Sequence, residues 1–199
     1  MASNAATPAP QEARDPALAA SGKRHIEWAF QSMPVLQSIR KQLIRSQSLA
    51  GMRIAACLHA TTETANLMIT LRDGGASPIL CPVSQESLHR DVAASLEQDY
   101  GIPVIPASAA VDRDPQILLD SGGQMADVWK QRAEAKVIGG TESNSKGVVR
   151  LKAMAKSGTL RYPVISINDA MTKHLFDNRY GTGQSTMGRI LRATNILLA

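Results

Sequence analysis

The chain has 199 residues, 44% hydrophobic and 20% charged, with a formal net charge of +5, which suits one domain with one buried core. Two Trp, three Tyr and two Phe give little for bases to stack on, and the basic residues are scattered, so no nucleic-acid partner is expected. No apolar run approaches the roughly 18 residues of a membrane helix, and the first residues, with Glu12 and Asp15, lack a signal-like apolar stretch, so no membrane association and a cytoplasmic location are expected.

Residues 1–15 are Ala-, Pro-, Asn- and Gln-rich without a period and read as a disordered tail before a domain spanning 16–199. Asp15-Pro16 has the form of a helix start. Apolar residues from Ile26 to Ile44 recur at helical spacing, with Pro34 marking a bend between two helices. Beyond them, strand-like runs at Arg53–Leu58, Ser77–Cys81, Pro103–Ile105, Gln116–Leu119, Lys136–Ile138 and Pro163–Ile167 alternate with helical segments. The latter are Thr62–Arg72, Glu86–Gln98, Met125–Arg132, Ser145–Lys156 and Gln184–Leu198. Continuous apolar strands between amphipathic helices predict an α/β fold: a Rossmann-like, doubly wound, mostly parallel sheet covered on both faces and preceded by N-terminal helices. The link from Ile105 to Gln116 is too short for a comfortable helical crossover of about 10–12 residues or more, and marks an irregularity. Cys57 and Cys81 fall inside strand-like runs without metal-ligand spacing, so buried, reduced thiols and no metal site are expected.

Ligands of open α/β sheets sit beyond the carboxyl ends of the strands, and polar residues gather there. His59, Thr61 and Glu63 follow the first run, Asp120-Ser121-Gly122-Gly123 the fourth, Glu142-Ser143-Asn144-Ser145 the fifth, and Asn168, Asp169, Lys173, Asp177 and Asn178 the sixth. Each group also has a purely architectural reading. Thr61, Thr62, Asn144 and Ser145 suit helix N-caps. The pairs Gly122-Gly123 and Gly139-Gly140 suit strand-to-helix turns, and Lys173 with Asp177 a surface ion pair four residues apart. Their convergence on one edge is what favours a pocket.

The run from Ile165 to Gly181, containing Asn168-Asp169, Thr172-Lys173 and Phe176-Asp177-Asn178, resembles a signature of the S-adenosylhomocysteine hydrolase (adenosylhomocysteinase) family. Leu49–Ala65, with Leu58-His59 and Glu63-Thr64-Ala65, is similar to another of its motifs, as are Met33-Pro34, Lys156–Pro163 and Arg192–Asn195. The resemblance implies a protein of one-carbon metabolism that binds an adenosine-type nucleoside. In the family, tightly held NAD oxidises the ribose 3′-hydroxyl, homocysteine is eliminated, water adds and the ketone is reduced. It further implies His59, Lys173 and Asp177 in proton transfer, Thr61, Glu63, Asp120 and Glu142 in substrate binding, and Asn178 beside the nicotinamide.

This chain departs from the family pattern at several points. Ser121 and Ser143 each stand where the resemblance expects a second acid, Thr182 replaces a cysteine, and Ser87–Asp91 rewrites an adenine loop. No G-x-G-x-x-G dinucleotide motif occurs, so NAD is expected for the family but not on this chain. Loss of the two acids predicts that Lys173 needs another anion. Hydrolysis would then require an NAD-binding half supplied in trans. The alternative is a non-catalytic nucleoside-binding or decayed partial relative that associates with full-length subunits.

Overall fold

The structure is a computed structural model that describes residues 15–130 and 136–197. The tail expected over 1–15 lies outside them apart from Asp15, as do the end of the helix expected to reach Arg132 and Leu198 of the last predicted helix. Asp15 caps α1 (Pro16–Phe30), its carboxylate accepting from the N–H groups of Ala17 at 2.9 Å and Leu18 at 3.3 Å, with proline at the first helical position. The chain then bends into α2 (Pro34–Ser46), which opens on the proline that forecast the bend.

Next come β1 (Arg53–Leu58), α3 (Thr62–Asp73), β2 (Ser77–Pro82), α4 (Arg90–Gln98), the short α5 (Ala107–Ala110), β3 (Ile117–Asp120) and α6 (Gln124–Lys130). They are followed by β4 (Gly139–Glu142), α7 (Ser145–Lys156) and β5 (Val164–Ser166). All five strands pair in parallel, in the order β2-β1-β3-β4-β5. This is the doubly wound, Rossmann-like arrangement, and its connections reverse direction between β1 and β3.

Alternation along the strands sorts the core into two layers. Ala56 and Leu80 face α1, α3 and α4 through Ile26, Met68, Ile69, Val92 and Leu96. Ala55, Cys57, Cys81 and Leu118 face α5 and α6 through Ala107, Ala110, Met125 and Trp129. The small strand residues let the helices lie close to the sheet. Burial, with Asp120 adding to it, raises both thiols, Cys81 to about 12, so these free cysteines are protonated core residues.

Two strand expectations need correction. Pro103–Ile105 contributes only a single bridge, Leu80 to Val104, because Pro103 and Pro106 lack the N–H groups that a longer ladder would use. The short link after it folds as α5 and a 3-10 turn over Val111–Arg113, not as a full crossover helix. The fourth sheet strand is not Lys136–Ile138 but Gly139–Glu142, so Gly139-Gly140 belongs to the ladder rather than to a turn. A Cβ on Gly140 would lie 2.8 Å from the carbonyl oxygen of Leu118, so β4 needs glycine to approach β3.

After β5 the chain forms α8 (Met171–Lys173), a π-helical segment (His174–Gly181) and α9 (Thr182–Thr194). Among the described residues none from Asp169 to Leu197 is buried, and Met171, Phe176, Tyr180 and Ile190 lie open to solvent.

Packing of α1 on α4 is closest at Gly22, where an added Cβ would lie 1.9 Å from the Asp91 carbonyl oxygen. The contact is braced one turn later by His25, whose Nδ1 lies 2.7 Å from the Asp91 carboxylate. Gly22→Ala must therefore push the helices apart, and chemical denaturation should show a loss of about 1–3 kcal/mol.

Candidate active site

The carboxyl ends of the strands form one row. Cys57 is the register partner of Asp120, Asp120 of Glu142, and Glu142 of Ser166. The four loops expected to converge therefore leave the sheet side by side, and the switch point lies between His59 and Ser121.

Beneath these loops the two acids of the row serve the backbone. Glu142 is 0% exposed. Its carboxylate accepts from the N–H of Gly122 (2.9 and 3.1 Å), Gly123 (2.8 Å) and Asn144 (2.6 Å). One side chain thereby ties the turn after β3 to the turn after β4. Gly122 and Gly123 have φ of 104° and 73°, a left-handed pair that aims consecutive amides at the carboxylate. Gly147 of α7 makes room for it, since a Cβ there would fall 2.2 Å from the Glu142 carboxylate. Asp120 accepts from the N–H of Ser121 at 2.9 Å and of Met125 at 2.7 Å. Burial raises its pKa to about 7, against the Met125 N–H and with help from Glu142.

At the surface of the row, Lys173 is the centre of a second network. Its ammonium donates to Asn168 Oδ1 at 2.7 Å and to Asn178 Oδ1, and pairs with Asp177 at 3.2 Å. Asn168, buried at the end of β5, donates in turn to Ser145 Oγ of α7 at 3.0 Å, and Asn178 Nδ2 reaches Asn168 and His174. The anion that Lys173 needs is Asp177, the i,i+4 ion pair that the spacing suggested, and its ammonium also donates to the two asparagines. Three π-helix neighbours of Lys173, His174, Asp177 and Asn178, share this network, in line with the frequent use of π-turns at functional sites.

On the opposite side of the switch point, Thr61 caps α3 by accepting from the Thr64 N–H at 3.5 Å. Glu63 lies in the first turn of α3. Its carboxyl is held below the ordinary value: partial burial acts the other way and is outweighed by the hydroxyls of Thr61 and Thr62, its own N–H and the nearby His89. His59 is exposed on the loop between β1 and α3, with no side-chain hydrogen bond among the described residues. The structure thus joins Lys173, Asp177 and Asn178 directly, sets Asp120 and Glu142 together below them, and places His59, Thr61 and Glu63 as a separate group. Sequence reasoning passed over Asn168 and Ser145 as binding partners. The available signal was an asparagine at the end of a strand, five residues before the lysine.

Residues 11–114 and 119–191 match the family model described as S-adenosyl-L-homocysteine hydrolase. The chain belongs to the adenosylhomocysteinase family. It is 47% identical to the adenosylhomocysteinase of Thermosynechococcus vestitus, over 96% of this chain and 48% of that protein. It is 44% identical to that of Aquifex aeolicus, over 94% and 49%, and 48% identical to that of Sulfurisphaera tokodaii, over 94% and 48%. The chain therefore spans about half the length of these relatives. No group of His, Cys, Asp or Glu among the described residues is placed to hold a metal ion, and no described helix is long and apolar enough to cross a membrane.

In this adenosylhomocysteinase-family chain the glycine pair after β3 spends its N–H groups on Glu142, so those two amides are not free to hold an anion.

Two measurements follow from the buried acids. Asp120 is about 7 in the folded chain against 3.8 ordinarily, so the folded state holds a proton that the unfolded state releases between those values. Its contribution is greatest below about pH 4 and is lost as pH rises through about 7. Thermal melts from pH 5 to 8 should show a falling stability whose slope is reduced in Asp120→Asn. Gly147→Ala should expel the Glu142 carboxylate and orphan three amides, lowering stability by about 2 kcal/mol or more on denaturant titration.

Proposed function

We propose that this chain binds an adenosine-type nucleoside across the carboxyl edge of the sheet, as the substrate-binding part of an adenosylhomocysteinase. Its turnover of S-adenosylhomocysteine to adenosine and homocysteine would depend on an NAD-binding half supplied in trans. The observation that carries this reading is the Lys173 network. An ammonium is held between Asn168, Asp177 and Asn178 on a π-helical turn, with amide and carboxylate groups within reach of the same small volume. Such a set suits the two vicinal hydroxyls of a ribose, which donate and accept at once. Asp177, four residues on, would accept from one hydroxyl, while Lys173 would donate to the other and, only as the neutral amine after giving up one of its own protons, could take that hydroxyl's proton.

His59, which has no side-chain partner among the described residues and lies on the loop after β1, would move a proton on the leaving-group side. Thr61 and Glu63 at the start of α3 would meet the base. Asp120 and Glu142 support the site in a different way: with their oxygens committed to backbone N–H groups, they hold the loops that carry the ligand contacts. NAD would arrive with the partner half and supply only the redox chemistry.

The need for a partner is supported by the surface after β5. Met171 (74% exposed), Phe176 (66%) and Tyr180 (62%) present apolar side chains next to the Lys173 network, where a second half would cover them and exclude water from the ribose. A second reading, a non-catalytic nucleoside binder, draws on Ser121 and Ser143. These serines stand where the resemblance expects a second acid, so two potential proton-handling or hydroxyl-binding carboxylates are replaced by hydroxyls.

Calorimetric titration with adenosine and S-adenosylhomocysteine separates these from no binding. Saturable binding that weakens about tenfold or more in Lys173→Ala supports nucleoside recognition, and absence of binding at millimolar ligand defeats both readings. Mixing the chain with the NAD-binding half of a relative and assaying free homocysteine then decides between them. Release supports the enzyme; binding without release, restored in Ser121→Asp with Ser143→Glu, supports the binder.

A further inference from the structure

At the opposite, amino edge of the sheet lies a cavity of about 370 Å³ that plays no part in the nucleoside reading. Arg53 and Ser77, the first residues of β1 and β2 and register partners, both line it. Its volume falls in the range of about 300–1,000 Å³ typical of small-molecule sites. The floor is apolar, formed by Pro78, Ile102 and Pro103 among others, and the rim carries Arg53, Arg72 and Arg113. Among the described residues no lining residue is acidic.

The three guanidiniums are not equivalent. Arg53 is fixed by Asp114, donating from Nε to the backbone carbonyl at 2.6 Å and from Nη2 to the carboxylate at 2.9 Å. Arg72 is fixed by Asp73 at 2.8 Å and by the Tyr100 carbonyl at 2.6 Å, and lies over the Tyr100 ring at 5.4 Å from its centroid. Each of these charges is therefore met by a carboxylate outside the cavity. Arg113 is exposed and has no partner among the described residues. Among the described residues the cavity is left with one uncompensated cation, a second guanidinium locked in place with Nη1 unused, and an apolar floor.

Guanidinium forks match the oxygens of carboxylates and phosphates, and groups already held in position lose little freedom on binding. An apolar floor without further polar groups suits the rest of such a molecule if it is a ring or hydrocarbon chain. We propose that this cavity binds a small organic oxyanion, a carboxylate or phosphate monoester with an apolar body, through Arg113 and Nη1 of Arg53. The strands between the two edges make the site distinct from the Lys173 network: the six residues of β1 at about 3.3 Å each put the edges on the order of 20 Å apart.

The test is an NMR titration of the chain with phenyl phosphate and, separately, benzoate. Saturable shifts at the amides of Gly101 and Ile102 are expected, about tenfold weaker in Arg113→Ala, unaltered in Lys173→Ala and not displaced by adenosine. Arg113→Ala removes no contact among the described residues, so its fold should be that of the parent chain. Tighter phenyl phosphate identifies a phosphate ester, and tighter benzoate a carboxylate. No saturation by either at ~10 mM, or shifts unchanged in Arg113→Ala, overturns the proposal. Failure of the nucleoside reading would appear in the adenosine titration and leave this result standing.

Discussion

The carboxyl edge of this fold depends on one buried side chain. Glu142 ends β4, yet its oxygens serve residues of two different loops, binding Gly122 and Gly123 after β3 and Asn144 before α7. Hydrogen bonds to a charged group contribute about 1.5–3 kcal/mol each, and a buried amide left without one costs a comparable amount. The turns after β3 and β4 are therefore set relative to each other, and the start of α7 with them. Ser145, the first residue of α7, in turn receives Asn168, and Asn168 receives Lys173. A chain of polar contacts thus runs from the sheet's interior to the group with the strongest claim to act on a ligand.

That arrangement divides the labour among the acids of the site. Asp120 and Glu142 look inward, their oxygens accepting from backbone amides. The carboxylate left at the surface beside Lys173 is Asp177. Ser121 and Ser143 occupy the positions that follow Asp120 and Glu142. The apolar side chains after β5 lie in a stretch, Asp169 to Leu197, in which none of the described residues is buried.

Much of the fold was legible because local signals agreed with tertiary needs. Pro34 split the first two helices, Asp15-Pro16 opened α1, Ser145–Lys156 ran as forecast, and short continuous apolar runs announced β1 and β2. Failures came where the deciding partner was distant in sequence. Gly139-Gly140 looks like a turn until the carbonyl oxygen of Leu118 shows that β3 needs a strand without side chains beside it. Lys136–Ile138 looks like a strand because Val137 and Ile138 are apolar and β-branched, but the register with β3 begins only at Gly139. Pro103–Ile105 has strand composition but too few donors to extend a ladder.

By itself the sequence determined the alternating α/β order, the family, and the residue types gathered at the strand ends, because periodicity and motif spacing are local properties. Only the tertiary structure decided what those residues face. Asp120 and Glu142 are indistinguishable in sequence from ligand-binding acids, and became backbone clamps because parallel pairing put both at one level of the sheet, beneath the loops. The spacing of Lys173 suggested an ion pair with Asp177, but not that a π-helical turn and the end of β5 would also bring Asn178 and Asn168 to it. Whether a polar group is free for chemistry depends on which donors and acceptors surround it in space, and no spacing along the chain records that.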